Sequence, residues 1–104
     1  MNTQDLQTGL SLIRKDFNLD ESELTIPESE LSHATVLAKL TRVVGYLLEK
    51  DFSKLLQVLY RIDISEEKLK AALASNEGEP SEVIAQMILE REMQKVETRK
   101  RYSS

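Results

Sequence analysis

Few side chains in this 104-residue sequence are of a type that does chemistry, and the spacing around each decides what it can do. His33 is the only imidazole, the one side chain whose ordinary pKa lies near neutrality. A metal centre or a Ser-His pair needs partners at defined intervals. Ser29 and Glu30 supply none, so His33 reads as a surface residue at a helix start. Asp63, Glu66 and Glu67 bring carboxylates together, enough in principle for a hard cation. The segment lacks the ligand order and turn glycine of a calcium loop, and Ser65 followed by Glu66 and Glu67 is instead a good N-cap with favourable charge. There is no cysteine, which removes disulfides and thiolate ligands. Catalytic residues, metal ligands and cofactors are all predicted to be absent, and an enzyme is the least favoured class.

Lys95, Arg99, Lys100 and Arg101 join phosphate-neutralising charge to the ring of Tyr102, the chemistry of an anion or nucleic-acid contact. Cations in a last helical turn are also favoured by the helix dipole, and Glu97 and Arg101 form a supportive i,i+4 pair, so a solvated helix end is the simpler account. Asp63-Ile64-Ser65 has the length of a helix-turn-helix turn, but the second helix would open on Glu66 and Glu67, which phosphate repels.

The strongest functional suggestion lies between Pro80 and Tyr102, a long helical pattern with apolar residues on more than one side. At about 100° per residue, Val83, Ile84, Met87 and Ile88 fall within about 140°, while Ala85, Leu89, Met93 and Val96 form a separate stripe on the far side. One stripe serves the core. The other, represented by Leu89, Met93 and Val96, is predicted to be an interface joining two copies, with the methionine suiting an adaptable contact.

The elements that must position these residues are helical. With 3 Gly, 2 Pro and 31% charged residues the chain is poor in turn and strand formers and rich in helix formers, and its length is enough to remove roughly two thirds of the unfolded surface from water. The net charge of −4 is uneven: residues 1–30 carry −5 and residues 91–101 carry +3. Such ends attract within one molecule or between two copies. Leu6, Leu10, Ile13 and Phe17 predict a first helix over residues 3–17, weakened by Gly9. Asn18 to Ile26 loses the period and reads as a connection pinned by Leu19, Leu24 and Ile26, after which Pro27 or Ser29 opens a second helix. That helix, over residues 31–50, carries Leu37, Leu40, Val44 and Leu47, widened by Val36, Val43 and Leu48. Ala34, Ala38, Thr41 and Gly45 form a small-residue row along it, suited to a close helix crossing.

Asp51 can cap a third helix bearing Phe52, Leu55, Leu56, Leu59 and Tyr60, or the second helix runs on. Ser65 opens a fourth, with Leu69, Ala72 and Leu73 toward the core, and Gly78 and Pro80 mark the clearest break in the chain. The prediction is one all-α domain over residues 1–104, a small irregular bundle of about five helices, with residues 98–104 as a frayed basic tail. No apolar run is long enough to span a membrane and no leader pattern opens the chain, so a cytoplasmic setting is expected.

Leu-Tyr-Arg-Ile-Asp-Ile-Ser-Glu-Glu-Lys-Leu at 59–69 and Ile-Leu-Glu-Arg-Glu-Met-Gln-Lys-Val at 88–96 resemble segments of small, uncharacterised all-helical bacterial proteins. The resemblance covers about a fifth of the chain and implies an all-helical fold and a cellular setting, with no activity or site residue. The expectation is a non-enzymatic protein-interaction module that homodimerises through its C-terminal helix. The alternative is a nucleic-acid-associated or regulatory accessory protein acting through Lys95, Arg99, Lys100 and Arg101.

Overall fold

Side-chain caps and left-handed backbone turns fix several of the helix ends. The computed structural model describes residues 3–19, 24–75 and 78–102. Its helices are α1 (Thr3–Phe17), α2 (His33–Lys50), α3 (Phe52–Ile62), α4 (Glu66–Ser75) and α5 (Pro80–Tyr102), with a short 3-10 turn at Glu28–Glu30 and no strand among the described residues. The structure is thus the all-α, five-helix globule the periodicity implies. Residues 20–23 of the first connection, 76–77 of the break before Pro80, and 103–104 of the predicted tail lie outside the described residues. Through Tyr102 that tail is helix.

Helices α1 and α3 end on a left-handed residue other than glycine. Asn18 (φ 56°) follows α1, its N–H donating to Lys15 O at 3.1 Å while the Leu19 N–H donates to Arg14 O at 2.8 Å. Asp63 (φ 70°) closes α3 the same way, the Asp63 N–H reaching Tyr60 O and the Ile64 N–H reaching Leu59 O. Both are Schellman endings in which a short polar residue takes the left-handed position. Leu24 and Ile26 are buried anchors of the first connection, and Arg14 Nη1 donates to Leu24 O at 3.0 Å.

The start of α2 differs from the sequence expectation. Pro27 and Ser29 belong to the 3-10 turn, and α2 opens at His33 behind Ser32. Ser32 Oγ accepts from the Thr35 N–H at 3.1 Å while Thr35 Oγ1 accepts from the Ser32 N–H at 2.9 Å, a reciprocal capping box with threonine where glutamate is usual. Asp51 serves two helices. Its N–H donates to Leu47 O as α2 ends, and its Oδ1 accepts from the Lys54 N–H at 3.2 Å as α3 begins.

Helix α5 is the axis of the fold, packing most extensively against α2, then α1, with α3 and α4 also on it. Val36, Leu40, Val44 and Leu47 of α2 are buried, whereas Leu37, Val43 and Leu48 are only half-buried. The small-residue row is only partly realised, because Ala34 and Ala38 face solvent. Gly45 meets Ser81 of α5, and a Cβ there would stand an ordinary 3.7 Å from Ser81 Cβ. The tight approach is at Gly9 instead, where a Cβ would stand 2.5 Å from Met93 Sδ. A side chain at Gly9 would have to turn the Met93 thioether aside, so Gly9 lets α1 lie close on α5 as well as weakening helix propensity. Helix α4 buries no residue fully: Leu69 packs partly on the core and Leu73 lies on the surface, so its predicted core face is shallow.

Candidate functional site

The stripe predicted to be an interface is instead interior. Leu89, Met93 and Val96 are 1%, 8% and 3% exposed and belong to the chain's own core. The reason is α1, which runs antiparallel to α5 and covers this stripe: Met93 lies over Gly9, Lys95 reaches Asp16 and Lys100 reaches Asp5. On the helical wheel the two stripes of α5 are one arc of about 280°, from Val83 through Ile84, Ile88, Ala85 and Leu89 to Met93. A dimer joined through Leu89, Met93 and Val96 would have to open the core.

In the middle of that arc sits Glu92, fully buried at 0% exposure and the one charged residue in the core among those described. Lys95 Nζ stands 2.8 Å from Glu92 Oε1 and 3.5 Å from Asp16 Oδ2, so one ammonium serves two carboxylates. Neither Glu92 oxygen has an aligned hydrogen-bond partner, and the Lys95 contact is an ion contact in poor orientation. Burial pushes the Glu92 carboxyl up from 4.5 to about 7, the nearby Lys95 ammonium opposes the rise, and the Asp16 carboxylate adds to it. Such a group is chemically capable of proton transfer, but full burial leaves no face for a substrate.

The basic tail is partly committed. Lys95 is held by Glu92 and Asp16, and Lys100 Nζ pairs with Asp5 at 3.1 Å. The attraction between acidic front and basic end is therefore met in part within the molecule. Arg99, Arg101 and Tyr102 are exposed at the end of α5. Arg91 and Arg61 act as helix-end donors, Arg91 Nε to Ile62 O at 3.3 Å and Arg61 Nη1 to Asp16 O at 3.2 Å. His33 is exposed as the first residue of α2. Among the described residues no three His, Asp or Glu side chains are gathered as a metal would require, and no helix is long and apolar enough to cross a membrane.

What sequence reasoning missed is the outer face of α3. Leu55, Val58, Leu59 and Ile62 fill the core, while Phe52, Leu56 and Tyr60 remain 52%, 39% and 88% exposed. These three are one turn apart in succession and span about 12 Å of helix surface. Beside them, where α3 turns into α4, Leu59, Ile64 and Leu69 line an open groove of about 540 Å³ with Asp63 and Glu66 at its edge. The signal was present in the spacing: on the wheel the exposed three lie at about 0°, 40° and 80° while the core four lie between about 240° and 340°, two faces that apolar content alone does not separate.

No protein family matches the chain, and neither the curated proteins nor the solved structures contain a match.

Proposed function

We propose that the chain is a non-enzymatic interaction module that binds a protein partner through the outer face of α3 and its junction with α4. The observation that carries this reading is the stripe Phe52, Leu56 and Tyr60, exposed on a helix whose opposite face is already well buried. Large aromatic and aliphatic side chains in consecutive turns are costly to leave in water, and aromatics are enriched where partners bind. The tail is the weaker contact surface, because two of its four cations are engaged by Asp16, Glu92 and Asp5.

A photo-crosslinking side chain placed at position 60 in cells tests the reading. A discrete adduct that disappears when Leu56→Glu is added, with none from the same probe at exposed position 90 on α5, is the expected result. Equal adducts from both positions, or an adduct indifferent to Leu56→Glu, would overturn it.

A further inference from the structure

We infer that the partner of the α3–α4 face is an amphipathic helix that carries lysine or arginine beside its apolar stripe; this rests on the interaction reading above. The charged groups lining the groove are Asp63 and Glu66, both acidic. Glu67 is exposed beside them at the start of α4. The Asp63 side chain is 89% exposed, and its contact with Arg91 at 3.7 Å is too long and too wet to hold it from another cation. Arg61 lies on the other flank of the stripe, beside Gln57, and donates to the Asp16 carbonyl. The face thus offers apolar contact along a straight helix and negative charge at its α3–α4 end. A helix laid in a groove reads such a face with side chains at i, i+3, i+4 and i+7 and matches its edge with opposite charge. A second copy is the poorer occupant, because the charged groups its own groove brings are again Asp63 and Glu66.

The test uses two synthetic helical peptides of about 18 residues, roughly five turns, with the same leucine stripe and either lysine or glutamate at every other position. In fluorescence titration against the full chain, the Leu–Lys peptide is expected to bind at least about tenfold more tightly than the Leu–Glu peptide. Leu56→Glu with Tyr60→Glu should weaken the Leu–Lys peptide by about tenfold or more although it makes the protein more acidic, which separates this face from general charge attraction. Should that variant lose its helical spectrum, Leu56→Gln with Tyr60→Ser replaces it. Asp63→Asn with Glu66→Gln should reduce the preference for lysine while leaving apolar binding in place.

Equal binding of both peptides would overturn the basic partner and leave an apolar docking face standing. Undiminished Leu–Lys binding to the stripe variants would overturn both. A wild-type chain that sediments as a dimer, and as a monomer once Leu56 and Tyr60 are replaced, would assign the face to a second copy and refute the basic helix alone.

Discussion

Glu92→Gln keeps the shape of the buried side chain and abolishes its titration. In the unfolded chain Glu92 ionises near 4.5, and in the folded chain it holds its proton to about 7 because burial and Asp16 outweigh Lys95. Between those values the folded state binds more protons than the unfolded state, so this group makes stability fall as pH rises. Its contribution is complete below about pH 4.5 and lost above about pH 7, and the separation of the two midpoints corresponds to about 3 kcal/mol. Glutamine carries no such slope. Urea denaturation followed by far-UV circular dichroism from pH 4.5 to 8 should therefore show the variant gaining on the wild type by about 3 kcal/mol, with its advantage greatest at the alkaline end. A difference between the two proteins constant to within about 0.5 kcal/mol across that range would mean that Glu92 titrates normally and that the reasoning from burial is wrong.

Gly9→Ala must turn the Met93 thioether aside and should therefore be less favourable in the wild type than in a Met93→Ala background, where helix propensity stabilises by up to about 1 kcal/mol; an equal change in both backgrounds by urea titration would refute the contact. Gly45→Ala has room beside Ser81 and should raise stability by up to about 1 kcal/mol, and a loss on thermal unfolding would show the crossing to be closer than 3.7 Å implies. Met93→Glu with Val96→Glu should abolish the cooperative unfolding transition and most of the helical spectrum, since both side chains are buried against the chain's own core. A folded monomer from that double variant would restore the stripe to the surface.

Much of the fold was legible where a local rule acts alone. Leu6, Leu10, Ile13 and Phe17 set α1, the carboxylate of Asp51 and the hydroxyl of Ser65 cap α3 and α4, and Pro80 starts α5. The start of α2 was displaced because Ser32 and Thr35 satisfy each other's backbone donors, a pairing the glutamate-based signature does not reveal. The second stripe of α5 was misassigned because periodicity says that a face is apolar and not what covers it. Gly9 carries the matching signal, a residue without a side chain where α1 passes Met93 of α5. Glu92, charged at the centre of an apolar arc, carries the other. The division of α3 into core and outer faces needed the neighbouring helices, since Leu55 and Leu56 are equally apolar and the placement of α1, α2 and α5 decides which is buried.

The central claim is that a partner sits on α3 and α4 and not on α5. Amide hydrogen exchange, measured residue by residue on the chain alone and on the chain carrying the protein retained with it on purification, tests that claim most directly. Slowed exchange through residues 52–60 and 64–73, with residues 95–102 unchanged, is the predicted result. Slowing confined to residues 95–102, with α3 and α4 unaffected, would contradict it.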